Sequence, residues 1–237
     1  MRYRNDGTDG NYLTPEEIKQ NKDTLKIACL EEGDSGMIND GSAIKMIKKY
    51  VPDRQAHILD CGVGNGLLLS KLYDDGYRNL YGVDIDDYRS FADEASRKVR
   101  QFSVLDVCFD PLPWQDGFFD AITSLEVLEH LENPYRLIRE MWRVLKPGGV
   151  LFISMPNAIS LISRLIFLKN GELVRWSAEN NHIAVFTPGI FRKVFSNFSI
   201  VEQGYYKGAF QYRFLAKIPL PANKWFGETA WWVLKKK

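Results

Sequence analysis

The residues best placed to hold a ligand are acids that sit beside glycines. The stretch from Ile58 to Leu72, ILDCGVGNGLLLSKL, ends an apolar run in Asp60 and then sets Gly62, Gly64 and Gly66 at alternate positions. Glycines at a strand-to-helix turn reach positive φ and admit a ligand where a side chain would collide. The dinucleotide fingerprint G-x-G-x-x-G needs its third glycine at position 67, and Leu67 stands there. Asp60 in front of the loop disfavours a pyrophosphate and suits a ligand with an ammonium group. Asp84, in Val83-Asp84-Ile85, falls where a doubly wound fold grips ribose hydroxyls with an acid. Asp106, beside Val107, ends a third apolar segment, where a carboxylate accepts from an exocyclic amine and apolar neighbours meet a purine. Three acids at successive strand ends point to a nucleoside carrying an amino-acid tail. The bland alternatives are a tight structural turn for the glycines and helix capping for Asp84, Asp86 and Asp87.

A second group follows the third strong apolar run. Glu126, Glu129 and His130 are spaced E-x-x-E-H, which on one helical turn puts Glu126 beside both of the others. His130 is the first choice for a base, because imidazole is the commonest acid–base group at neutral pH, and Glu129 stands next to it. The alternative is a histidine that only holds its loop. His182 opens HIAVFTP, and His57 precedes a strand and reads as structural.

Alternating helices and strands must position these groups. Thr14-Pro15-Glu16-Glu17 starts a helix with a hydroxyl cap, a proline and acids at the positive dipole end. A second helix is expected over Ser42 to Tyr50, and HILDCG reads as a buried strand followed by a helix that stops at Gly76. NLYGVDI, FFDAITS and VLFISMP read as strands, with a helical pattern over DYRSFADEASRKV. The clearest helix is NPYRLIREMWRVLKPGG. Asn133 caps it, Pro134 is its first residue, its apolar face is Leu137, Ile138, Met141, Trp142 and Leu145, and Pro147-Gly148-Gly149 ends it. Such alternation specifies an α/β fold, a parallel sheet covered on both faces.

Composition bounds the rest. The 237 residues are 45% hydrophobic and 26% charged, as expected of one globular domain over 1–237. A formal charge of +1 gives no global argument for nucleic acid. Cys29, Cys61 and Cys108 are scattered, which fits a reducing compartment and argues against a disulfide framework. The polar start MRYRNDGTDGNYLTPEE is no secretory signal, and no apolar run reaches spanning length, so the expected location is cytoplasmic, without stable membrane insertion. Trp225, Trp231 and Trp232 suit either a core or a homodimer surface.

Taken in order, ILDCGVGNG, YGVDID, VLDV, LPW, FFDAITSLEVLEHL and EMWRVLKPGGVLFISMPN resemble the class I S-adenosylmethionine-dependent methyltransferases from about Ile58 to Asn157. The resemblance implies a Rossmann-like, seven-stranded, mostly parallel sheet with an antiparallel last strand. ETAWWVLKKK suits that strand, and FSIVEQGYY suits the one before it in sequence. It also implies that Gly62 to Gly66 run along the methionine part of the cofactor, with Asp60 near its amino group. Asp84 would hold the ribose, Ile85 would lie against the adenine, Asp106 and Val107 would meet the adenine edge, and Ser124 to Glu126 would line the far side. Residues 1–52 would form a helical cover, and 157–182, an insert opening with an apolar helix, would shape the acceptor pocket.

No Asn-Pro-Pro-Tyr, which resembles amino-methylating enzymes, follows FFDAITS. The layout MPN … H … FTP looks like methyltransferases of ubiquinone biosynthesis, glycan tailoring and small-RNA 3′ ends. It points to an O-acceptor, a small molecule, glycan or lipid-like compound rather than RNA. In the RNA enzymes two acids and two histidines bind a divalent metal, which by resemblance would fall to Glu126, Glu129, His130 and His182. Mixed oxygen and imidazole ligands would lower a hydroxyl's pKa. Two other classes stay open: a non-catalytic protein that binds the cofactor for regulation, and a nicotinamide-dependent oxidoreductase.

Overall fold

The structure, a computed structural model, describes residues 35–87, 99–176, 181–206 and 220–237. The expected helix start at Thr14 and the helical pattern of DYRSFADEASRKV lie outside the described residues, as does the larger part of the N-terminal cover. Two helices open the described chain, α1 (Gly36–Asn39) and α2 (Ser42–Tyr50). Next come β1 (Ile58–Cys61), α3 (Leu67–Asp74), β2 (Leu80–Asp84), β3 (Gln101–Val104), β4 (Phe119–Leu125) and a 3-10 turn at Leu128–His130. The remainder is α4 (Pro134–Val144), β5 (Leu145–Pro156), α5 (Leu161–Asn170), α6 (Pro188–Val194), β6 (Phe198–Tyr206) and β7 (Thr229–Lys236).

The strands form a seven-stranded sheet in the order β3-β2-β1-β4-β5-β7-β6. β1 to β5 pair in parallel, and β7 runs antiparallel between β5 and β6. The chain winds outward from β1 to β3 and then returns to lay β4 against the other side of β1. That reversal leaves a crevice at the carboxyl ends of β1 and β4, the place where open α/β sheets bind ligands.

Burial on both faces explains why β1 and β4 read as near-continuous apolar runs. On one face Ile44 and Ile47 of α2 and Leu69 and Leu72 of α3 pack with Phe152 and Val233. On the other, Leu137, Ile138 and Met141 of α4 pack with Ile122, Leu151 and Phe191. Each such side chain stabilises the fold by about 1.5–3 kcal/mol. Asn133 caps α4 as expected, its side chain accepting from the Arg136 N–H, with Pro134 at the first helical position.

Two details differ from the sequence expectation. α4 stops at Val144, before the Pro-Gly-Gly, because Leu145 is already extended and pairs with Phe119 at the start of β5. Pro147 favours extended backbone at Lys146, and the Lys236 ammonium binds the carbonyls of Trp142 and Leu145 at 2.5 and 2.6 Å. Trp142 is 39% exposed instead of lining the core, and that ammonium lies 4.1 Å from its ring centre. The apolar helix α5 forms as expected, but Leu165 and Phe167 are exposed and only Ser163 is buried. No helix among the described residues is long and apolar enough to cross a membrane.

Candidate active site at the carboxyl edge of the sheet

The glycine loop leaves β1 and turns into α3. Asp60 is buried, and Thr123 of neighbouring β4 donates to its Oδ1 at 2.6 Å. The three glycines have three different reasons. Gly62, at φ 83°, hands its N–H to the Val83 carbonyl, and a Cβ there would run into the Val127 methyls. Gly64, at φ 54°, has nothing within 4 Å of the position a Cβ would take. Gly66, at φ 87°, is the left-handed residue that starts α3. Packing therefore fixes Gly62, whereas Gly64 faces open space on the ligand side.

Asp84 closes the loop. Its carboxylate accepts from Gly64 N–H at 2.8 Å and from Ile85 N–H at 2.7 Å. Burial pushes its pKa up to about 6, outweighing those two hydrogen bonds, with Asp86 and Asp87 adding repulsion. An ionised carboxylate has about four acceptor sites, so ribose hydroxyls can still reach it. Asp106 lies just past β3, its Oδ1 taking the Cys108 N–H at 3.0 Å while its own N–H bonds Asp110. Val107 packs against the core behind it. Ser124 is buried near the end of β4, and its Oγ has no hydrogen-bond partner among the described residues. An unsatisfied buried hydroxyl and an open glycine on one edge are what a polar ligand would fill.

The second group is assembled differently. Glu126 has left-handed backbone, φ 57°, so the turn Leu128–His130 starts afresh and E-x-x-E-H does not share one helical turn. The Glu126 carboxylate points to Ser154 Oγ at 3.2 Å and Arg175 at 3.0 Å. The structure instead brings Glu129, His130 and His182 together, each offering one potential ligand atom within 4.8 Å of the others. The two imidazoles meet edge to face with centres 4.5 Å apart, and Trp176 stands 5.7 Å from His182. Glu129 is buried, and its carbonyl accepts from the N–H groups of Ile183 and Ala184, which ties the chain around His182 to the turn. Burial holds both imidazoles neutral, lowering His130 to about 4 and His182 to about 3. Hydrogen bonding of the imidazole to Asn181 opposes the shift at His130, while Arg175 adds to the lowering at both.

His57 lies at the opposite end of the sheet, its N–H on Asp120 and its ring against Phe118, as a structural residue should. Arg175 and Asn181 are site residues that sequence reasoning missed. Both lie in the insert, where no periodicity or spacing marks them.

Residues 59–153 match a family model described as a methyltransferase domain. The ubiquinone biosynthesis O-methyltransferase of Coxiella burnetii (strain Dugway 5J108-111) is 33% identical over 116 residues, covering 48% of this chain and 49% of that protein. The protein of the same name from Xanthomonas oryzae pv. oryzae (strain PXO99A) is 34% identical over 148 residues, covering 51% and 60%. The chain spans about half the length of the curated relatives it matches. A solved S-adenosylmethionine-dependent methyltransferase from Archaeoglobus fulgidus superposes with TM-score 0.57 at 20% identity, covering 81% of this chain and 92% of that one. At that identity the likeness bears on the fold.

Proposed function

We propose that the chain is a class I S-adenosylmethionine-dependent methyltransferase and that it methylates a hydroxyl oxygen on a small organic acceptor. The cofactor supplies an electrophilic methyl group on a sulfonium. Asp60, Gly62, Gly64 and Gly66 would hold its methionine part, Asp84 and Ile85 its ribose and adenine, and Asp106 and Val107 the adenine edge. Ser124 would add a hydroxyl from β4. Orientation is the main task, because holding two reactants in line supplies much of the rate of such a displacement.

The observation that carries the O-acceptor reading is the neutral His130–His182 pair against the buried Glu129 carboxylate. An unprotonated imidazole at pH 7 can take the acceptor's proton as its oxygen becomes nucleophilic, and Glu129 would stabilise the imidazolium that results. Cys61 and Cys108, free and buried, suit a cytoplasmic setting.

The test is a screen of phenolic, sugar and RNA acceptors coupled to S-adenosylhomocysteine release. Turnover of a hydroxyl acceptor is expected, with His130→Ala lowering kcat by about 10²–10⁴-fold at unchanged S-adenosylhomocysteine affinity. Cofactor binding without turnover of any acceptor would favour a regulatory binder. Tight NAD binding in a parallel titration would favour an oxidoreductase.

A second reading adds a divalent cation at Glu129, His130 and His182. One carboxylate and two imidazoles in reach of one another are a fitting donor set for such an ion. Glu126, engaged by Arg175, is not part of that set. Activity that disappears on exhaustive chelation and returns with manganese, cobalt or zinc is the expected result, and full turnover in chelator removes the metal.

A further inference from the structure

We infer that Glu140 and Arg143 of α4 are positioning residues for the cofactor: their ion pair anchors the turn that carries Asp106 and Val107 and so sets which purine the site accepts. The inference rests on the cofactor reading of this edge and adds to it the device that makes the edge selective.

The sequence poses the problem that the pair solves. Between β3 and β4, residues 105–118 form only turns and bends, and a stretch of that length in a packed domain needs something to hold it. Pro111 and Pro113 have no N–H, so Leu112 offers the one backbone donor in Pro111-Leu112-Pro113. Leu112 is 2% exposed, and a buried backbone group must find a partner. Both of its polar groups go to side chains of α4. Glu140 Oε2 accepts the Leu112 N–H at 2.8 Å, and Arg143 Nη2 donates to the Leu112 carbonyl at 2.9 Å. The pair serves Leu112 as a neighbouring strand would.

Arg143 is devoted to this stretch. Its Nε and Nη2 give Glu140 bonds of 2.9 and 2.7 Å, and Nη1 donates to the Trp114 carbonyl at 2.8 Å and to Asp116 at 2.9 Å. With Leu112, these bonds engage all five N–H donors of a guanidinium. A lysine ammonium, one point charge with three donors, cannot span the same set.

The turn between the anchors is bonded to itself. The Asp106 carbonyl accepts from the N–H groups of Phe109 and Asp110, at 3.0 and 2.7 Å. Asp110 in return accepts from the Asp106 N–H, and Asp106 Oδ1 accepts from Cys108. The Cys108 sulfur takes the N–H groups of Glu132 and Asn133, where α4 begins. Upstream, the Leu105 N–H is held by the Asp84 carbonyl at 2.9 Å. Downstream, the stiff Pro111 leads directly into Leu112. Loosening Leu112 therefore loosens Asp106, the group proposed to read the exocyclic amine of adenine.

The experiment compares S-adenosylhomocysteine with S-inosylhomocysteine, which presents a carbonyl where adenine has that amine. Calorimetry on the full chain is expected to favour the adenine compound by tenfold or more, since a site built to bond an amine rejects the analogue that lacks it. Arg143→Gln should shrink the preference to about threefold or less and quicken amide hydrogen exchange over residues 105–117 by tenfold or more. Arg143→Lys should keep part of both. Thermal unfolding checks the fold. If Arg143→Gln does not fold, Glu140→Gln, which leaves the guanidinium in place, carries the test with the same expected direction. A merely structural pair would lower both affinities by one factor, and that result, or no change in either, overturns the inference. Equal binding of the two compounds by the wild type overturns it too while leaving the cofactor reading intact. Binding of neither sinks the cofactor reading and the inference together.

Discussion

Along the edge made by β1, β2 and β3, each candidate group sits on a strand end or just beyond it, and two of the acids there are held by backbone N–H groups. Asp84 takes the N–H groups of Gly64 and Ile85, and Asp106 takes that of Cys108. The edge beyond β4 is assembled from four separated places: Glu126, the turn at Glu129 and His130, Arg175, and His182. Side chains join it, through the Glu126–Arg175 ion pair and the contact between the two imidazoles. A local, backbone-built half suits a cofactor whose shape never varies. A half built from distant side chains can change its acceptor by altering one segment, as sites on loops commonly do.

The largest effect expected from this comparison is structural and concerns Gly62. Gly62→Val adds a branched side chain at φ 83° into the Val127 methyls. Left-handed strain of about 1–2 kcal/mol and overpacking of about 1–3 kcal/mol together predict a stability loss of about 2–5 kcal/mol. Urea unfolding measures it, and a loss below about 1 kcal/mol would mean that the loop is not packed as described.

Gly64→Val separates folding from binding in the same loop. Its side chain meets open space, so stability should fall by the strain alone, about 1–2 kcal/mol. Cofactor affinity should nevertheless be lost, because the valine occupies the ligand's side of the turn. Normal calorimetric binding by this variant would make the loop purely structural.

Asp84→Ala tests the ribose contact and should weaken S-adenosylmethionine binding by about 1.5–3 kcal/mol, the range for hydrogen bonds to a charged group. Unchanged affinity sinks the assignment. The same residue gives a pH dependence with two signs. Its folded pKa, about 6, lies above the ordinary 3.8. Ionising Asp84 therefore costs the ligand-free protein stability, which should decline as pH rises from about 4 through 6. Cofactor affinity should move the other way, falling about tenfold between pH 7 and 5 as the carboxylate is protonated. Calorimetry across that range checks it, and a flat profile would show that the ribose does not use the ionised form.

The smallest effect belongs to α5. Leu168 is 82% exposed, and Leu168→Glu should change stability by less than about 0.5 kcal/mol. A larger loss in thermal unfolding would show that this face is covered.

The same contrast decides how much the sequence revealed. Asn133 and Pro134 announce α4, and ILDCGVGNG announces a buried strand and its turn, because caps, prolines and glycines act within a few residues. The antiparallel direction of β7 was expected only through the family resemblance, which ETAWWVLKKK suits, because nothing local in that run sets its direction. Glu126 was not: its spacing to Glu129 and His130 looks helical, and nothing local reveals that its backbone turns left-handed towards Ser154. Arg175 carries no local signal because its partner is 49 positions away in sequence. The early start of β5 and the exposure of α5 likewise come from tertiary pairing and packing, which periodicity does not encode.

The fit of Gly62 against Val127 has a practical consequence for anyone redesigning the enzyme. Val127 stands directly after Glu126 and immediately ahead of the turn that holds His130, so the glycine loop and that turn, proposed above for the cofactor and the acceptor, share one wall. A mutant library that varies position 127 will also shift the glycine loop packed on it, and with it any ligand which that loop holds. Position 62 has no smaller residue to offer in compensation. Useful diversity should therefore be placed in the insert around Arg175 and His182, with the shared wall left as it is.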